Sequence, residues 1–253
     1  MRTHAAALAV AVATLLGGCH RGASGKRVRI AAAADLEKAF TELAGEFERQ
    51  TGIHAELTFG SSGLLAKQVE QGAGFDLLAA ANQEFVARVV KAGRCDGATA
   101  QLYGRGRIVA WVPAGKQAPR TLAELADPKW GTIAIANPEH APYGVAARQA
   151  LERAGVWPQV EKRIVLGENV QATMLYARDG NADVAIVALS LAVVADGGAF
   201  LPIDDALHDP LDQAMVACGT GAGAAAARQF EAFVGSADGR EVMTRYGFAV
   251  PTK

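Results

Sequence analysis

Within its first hundred residues the chain repeats one pattern three times: an apolar, β-prone run, a small polar break, then a run with helical spacing. Residues 26–33 lead into Asp35 and then Leu36, Phe40, Leu43 and Phe47, a spacing that places the four on one helix face. Residues 53–59 lead into Gly60-Ser61-Ser62-Gly63 and a second helix carrying Leu64, Leu65 and Val69. Residues 75–80, Phe-Asp-Leu-Leu-Ala-Ala, lead into Asn82 and a third helix running to Lys91. A strand that is apolar without alternation is covered on both faces, as in a parallel sheet. Strand–helix units in series therefore predict a doubly wound α/β sheet. Ligands of such sheets bind beyond the carboxyl ends of the strands. Ala34-Asp35, Ser61-Ser62 and Asn82 all stand at such ends.

The Ser61-Ser62 break is the most informative of the three. A helix opens with unpaired backbone N–H groups and the positive end of its dipole. Serine hydroxyls add donors, and Gly60 and Gly63 let the backbone approach a bound group closely. The result is an anion cradle without a formal positive charge. The same residues also suit a plain helix cap, and the stretch alone leaves both roles open.

A second series begins near residue 108. Strands are predicted over 107–113, 132–136, 164–166, 183–189, 200–203 and 214–218, with helices after Gly144, after Val170 and at the chain's end. The 253 residues, 51% hydrophobic and 20% charged, suffice for one large domain or two small lobes. A net charge of −1 offers no basic surface for nucleic acid. The loop Asn137-Pro138-Glu139-His140-Ala141-Pro142-Tyr143-Gly144 is stiffened by two prolines, more than a connector needs.

The N-terminus reads as an export signal over residues 1–18: Arg2 and His4, an apolar run from Ala5 to Leu16, then small residues. The run is too short to span a bilayer. Cys19 directly after Gly17-Gly18 resembles the bacterial lipoprotein box, which implies a lipid on Cys19. Residues 19–25 form a polar tether. Cys95 and Cys218 are far apart in sequence, and two separate buried thiols are expected. Gly219-Thr220-Gly221-Ala222-Gly223-Ala224 fits a dinucleotide fingerprint in letters, but no βαβ unit follows it, so a turn or hinge is expected. The histidines lack metal spacing. No nucleophile elbow is present, which leaves a secreted serine hydrolase as a weak alternative from another class.

Four separated segments carry a family resemblance. Ala31-Ala32-Ala33-Ala34-Asp35-Leu36, Phe59-Gly60-Ser61-Ser62, the Asn137–Gly144 loop and Gly167-Glu168-Asn169-Val170 together resemble the molybdate-binding proteins of bacterial ABC importers. The ending Arg245-Tyr246-Gly247-Phe248 also fits. The resemblance implies a type II periplasmic-binding-protein fold: two doubly wound α/β lobes joined by a two-strand hinge and closing on a tetrahedral oxyanion. It implies a first lobe over 26–106, a second over 107–216 and a return segment over 217–253, with hinge strands near residues 107–109 and 215–218. The implied site is Ala34, Asp35, Ser61, Ser62, Tyr143 and Val170. The ligand would be molybdate, or tungstate, with sulfate or phosphate as the alternative. Molybdenum would enter only as the oxyanion, with no cofactor. The implied partner is a membrane permease, and the implied state is a periplasmic, lipid-anchored monomer.

Two positions depart from the family. Asp35 stands where a small polar residue is usual, and Ala188 where a tyrosine hydroxyl is often supplied. Tyr143 is expected to replace that hydroxyl. Asp35 is expected to turn back and cap the helix opening at Leu36, leaving backbone N–H groups to the anion. The other orientation aims its carboxylate at the ligand and requires an anion carrying a proton. Five to seven hydrogen bonds of about 1.5–3 kcal/mol each, less ordering and desolvation, allow roughly micromolar binding or better.

Overall fold

The computed structural model describes residues 26–250; the signal, the tether and Cys19 lie outside the described residues. The three expected units are present. Strand β1 (Arg27–Ala33) leads through a 3-10 turn (Ala34–Leu36) into α1 (Glu37–Thr51), β2 (His54–Gly60) into α2 (Ser62–Glu70), and β3 (Leu77–Ala80) into α3 (Gln83–Lys91). Asn82 caps α3 as expected, its side chain accepting from Phe85 N. Strand β1 runs parallel to both β2 and β3, so all three end on one side, at Ala34, Ser61 and Ala81. The sequence did not predict β4 (Gln101–Gly106). Two of its six residues are glycines, which weaken the strand signal.

Arg107 separates β4 from β5 (Ile108–Val112), the first strand of a second sheet. There follow β6 (Ile133–Ala136), α4 (Pro142–Arg153), α5 (Trp157–Val160), β7 (Ile164–Gly167), α6 (Val170–Arg178), β8 (Val184–Ala188), α7 (Leu189–Ala192) and β9 (Ala199–Pro202). Strand order is β7-β6-β8-β5-β9, with β6 parallel to β7 and β8, and β5 antiparallel to β8 and β9. Here too the parallel strands end toward one side, where the Asn137–Gly144 loop and Asn169-Val170 follow.

The chain then crosses back. Strand β10 (Leu211–Ala217) is antiparallel to β3 and β4 and completes the first sheet in the order β2-β1-β3-β10-β4. The expected hinge at 215–218 is thereby corrected. Those residues lie in or beside an inner strand paired on both sides, and the return begins at Leu211, before residue 217. The second crossing is the stretch between Pro202 and Leu211. Helices α8 (Gly221–Val234) and α9 (Ala237–Arg245) end the described chain. Phe230 of α8 meets Phe40 and Phe47 of α1 edge-on, with ring centroids 5.5 and 5.2 Å apart. Such pairs contribute about 0.5–1.5 kcal/mol each beyond buried area, and they fasten the return segment to the first lobe. The glycine-rich 219–224 stretch is the turn into α8.

The cysteines are a second correction. Cys95 and Cys218 form a disulfide, with Cα atoms 3.8 Å apart and 123 residues between them in sequence. The two lie opposite each other in an antiparallel bridge at the end of β10. That pairing depends on the long-range return of β10, which leaves no local signal. Closing so large a loop stabilises a fold by about 2–4 kcal/mol.

Candidate functional site

The carboxyl ends of both sheets face each other, and the helix starts beyond them enclose one small cavity. Its wall comprises Ala33, Ala34 and Asp35, Gly60, Ser61 and Ser62, Ala81, Ala141, Pro142 and Tyr143, and Asn169 and Val170. All six sequence-predicted site residues are therefore brought together. About 10 Å³ is left for the centre of a guest, on the order of one water's worth of such space. That admits a compact, rounded particle and excludes sugars, nucleotides and peptides. A larger hollow of about 500 Å³, lined by residues including Lys116, Arg120, Lys129 and Asp183, is open to solvent and lies on the second lobe alone. Its Lys116 is paired with Asp183 at 2.9 Å, and its Lys129 stands 3.5 Å from Asp127.

No lysine, arginine or histidine lines the small cavity. Its donors are neutral. Ser62 and Val170 are the first residues of α2 and α6, and Tyr143 is the second of α4, so their backbone N–H groups lack partners within their own helices. No side chain caps α2 or α4. This removes the plain-cap role for Ser61 and Ser62. Asn169 caps α6 by accepting from Ala172 N at 2.9 Å, two residues beyond Val170.

The two serines divide the work. Ser62 Oγ accepts from Ala81 N at 2.9 Å, which orients the oxygen and leaves the hydroxyl proton for the cavity. Ser61 instead reaches across to the second lobe. Its hydroxyl donates to His140 O at 2.6 Å, and Gly63 N donates to the same oxygen at 2.9 Å. His140 Nδ1 lies 2.8 Å from Ser61 Oγ. With the serine proton on the carbonyl, that contact assigns the histidine proton to Nδ1. The Pro-Glu-His loop is thus a latch between the lobes.

Asp35 does not cap a helix. Neither the 3-10 turn nor α1 has a side-chain cap, and Asp35 Oδ2 accepts from Tyr143 Oη at 2.9 Å and Gln213 Nε2 at 2.7 Å. A buried carboxylate takes the strongest donors within reach, and two lie across the cleft and on β10. The expected role of the Tyr143 hydroxyl is corrected with it. That hydroxyl donates to Asp35, so the ligand can receive only its backbone N–H. Gly106, where β4 ends, makes room: a Cβ there would stand 2.1 Å from Tyr143 Oη. Ser190 Oγ donates to Asp35 O at 2.8 Å, giving a further contact between the lobes. Burial, opposed by the bonds from Gln213 and Tyr143, pushes the Asp35 carboxyl up to about 6. Burial and then the Asp35 charge push the Tyr143 and Tyr103 hydroxyls well above their usual value, so both stay neutral.

The model of the bacterial extracellular solute-binding protein family matches residues 28–249. The chain belongs to that family. Among curated solute-binding relatives, the molybdate-binding protein ModA of Rhodobacter capsulatus is 30% identical over 240 residues, covering 95% of this chain and 94% of its own. That of Escherichia coli is 30% identical over 234 residues, covering 88% and 89%. The solved periplasmic molybdate-binding protein of Azotobacter vinelandii superposes with a TM-score of 0.84 at 26% identity, covering 89% of this chain and 100% of that one.

Within this solute-binding protein, sequence reasoning missed Gln213, Tyr103, Ser190 and the Ser61–His140 latch. Gln213 borders the apolar run Ala214–Cys218, and only the structure shows that it is fully buried and so has to find partners. It finds Asp35, Tyr143 and the Tyr103 hydroxyl. The other three had no local signature.

Proposed function

We propose that this solute-binding protein captures molybdate in the interlobe cavity and delivers it to the membrane permease of an ABC importer. The observation that supports the ligand class most directly is a small cavity between the lobes, its wall formed mostly by buried residues and lined by helix-start amides and the Ser62 hydroxyl with no cation. A dianion held by neutral donors is bound through many directed bonds and is released when the lobes part, whereas a buried lysine or arginine would retain it. Ala34, Asp35, Ser62, Tyr143 and Val170 surround the ion, and Ser61 holds the two lobes together over it. The relatives' molybdate specificity is carried over on this likeness, with tungstate as the isosteric companion. Capture takes place outside the cytoplasmic membrane, with the chain held there by a lipid on Cys19 and acting as a monomer. Titration calorimetry with molybdate, tungstate, sulfate and phosphate tests the assignment. Micromolar or tighter binding of the first two, with weak or no binding of the others, is expected. Phosphate or sulfate binding tighter than molybdate would refute it.

A further inference from the structure

We propose that this site binds its doubly charged oxyanion together with one proton, held between Asp35 and the ion. This rests on the molybdate assignment above and adds to it a proton linkage carried by this chain's own residue.

The geometry decides which carboxyl oxygen is available. Tyr143 Oη has two polar neighbours, Asp35 Oδ2 and Gln213 Nε2 at 2.9 Å. The amide nitrogen only donates, so the tyrosine proton lies toward Oδ2. Gln213 is turned by Tyr103, whose hydroxyl stands 2.7 Å from Gln213 Oε1. Its Nε2 is thereby left facing Asp35. Oδ2 is therefore an acceptor twice over, and a proton on this carboxyl belongs on Oδ1. Oδ1 is buried and has no hydrogen-bond partner in the protein, and Asp35 lines the cavity at 1% exposure. Protonated, Oδ1 is a donor beside the anion, the part a neutral hydroxyl would play. Ionised, it is a negative charge sharing an enclosed space with a dianion, and like charges in one site cannot both persist.

Among the described residues no cation lines the cavity to relieve that repulsion. Tyr143 of α4 and Tyr103 of β4 are neutral phenols, and β10 presents only the Gln213 amide. The starts of α2 and α6 present Ser61, Ser62, Asn169 and Val170, and α7 presents the Ser190 hydroxyl. On α1, Glu37 is hydrogen-bonded by Gln171 of α6, and Lys38 is exposed and 3.7 Å from Glu37. His140, in the loop before α4, is bonded to Ser61 at the cleft. Burial already raises the Asp35 carboxyl to about 6, and a dianion raises it further. Above that pH the empty site has lost the proton that the filled site holds. Binding must then take one from solvent, and affinity falls as pH rises.

The test is calorimetry of the whole protein with sodium molybdate, in HEPES and in Tris at pH 8, together with Kd from pH 5.5 to 8.5. Uptake of close to one proton per ion at pH 8 is expected, with Kd rising toward tenfold per pH unit above pH 7. Asp35→Asn places a permanent amide donor at the Oδ1 position while its oxygen still accepts from Tyr143 and Gln213. It should bind with no proton uptake and a flat Kd, and more tightly than wild type at pH 8.5. Wild-type binding with no proton uptake overturns the linkage and leaves molybdate standing. Uptake that persists in Asp35→Asn overturns it in favour of His140. Absence of molybdate binding at every pH overturns the ligand assignment and the linkage together. Should Asp35→Asn fail to fold, the wild-type proton count decides alone.

Discussion

Gly63→Ala separates closure of the cleft from stability of the lobes. Gly63 is the second residue of α2, and its N–H donates to His140 O across the cleft at 2.9 Å. A Cβ on Gly63 would stand 2.7 Å from that oxygen and 3.0 Å from His140 Cα and Cβ. The first distance is one that real Cβ atoms essentially never show, and two of the three atoms are backbone, so the latch loop itself has to retreat. Retreat stretches the Gly63–His140 bond and the two Ser61–His140 contacts. At about 0.5–1.5 kcal/mol per bond, partly weakened, the loss is roughly 1–3 kcal/mol. That corresponds to roughly 5- to 150-fold weaker molybdate binding. The lobe itself benefits, because alanine favours a helix over glycine by up to about 1 kcal/mol. Calorimetry should therefore show a raised Kd, while the ligand-free thermal midpoint holds or rises. A wild-type Kd would refute the latch. A fall in ligand-free stability matching the lost affinity would show that the lobes hold this contact without ligand.

Ser62→Ala removes the proposed donor to the ion and leaves the buried Ala81 N–H without its acceptor. Molybdate affinity should drop about 10- to 150-fold, with a loss of stability of about 1–3 kcal/mol in denaturant melts. Tyr143→Phe removes one of the bonds that hold the Asp35 carboxyl down. The pH at which molybdate affinity begins to fall should move upward, which a Kd series across pH would show. Glu231 is buried, with Oε1 unpartnered, and desolvation raises its carboxyl from 4.5 to about 7. Between those pH values the folded state keeps a proton that the unfolded chain has released. Stability due to this group therefore falls as pH rises through the window and stays lower above it. Glu231→Gln should flatten that part of the pH profile and raise the thermal midpoint at pH 8, by about 2–4 °C for each kcal/mol recovered.

The features legible in the sequence are those whose cause is local. Unbroken apolar runs mark β3, β6 and β8, because a strand covered on both faces needs no polar alternation. The α1 face was legible from the spacing of Leu36, Phe40, Leu43 and Phe47. The cap at Asn82 acts on an amide three residues away. The six site residues implied by the family resemblance line one cavity, and three of them, Ser62, Tyr143 and Val170, lie in the first turn of a helix, where the backbone amide has no partner in its own helix.

The structure decided what depends on contact at long sequence separation. Ser61 finds its acceptor 79 residues away, Cys95 its partner 123 residues away, and Asp35 its two donors 108 and 178 residues away. Judged by its neighbours in sequence, Asp35 is a good cap, since an aspartate beside a new helix has amides at hand. In the folded chain β10 and α4 bring a fully buried amide and a phenol to the same carboxyl. Both lack water as an alternative partner, so the carboxylate bonds to them and leaves the amides to the site. A one-dimensional pattern encodes which residues are buried and which helix or strand they join. It does not encode which buried polar groups, each in need of a partner, the second crossing of the chain will set side by side.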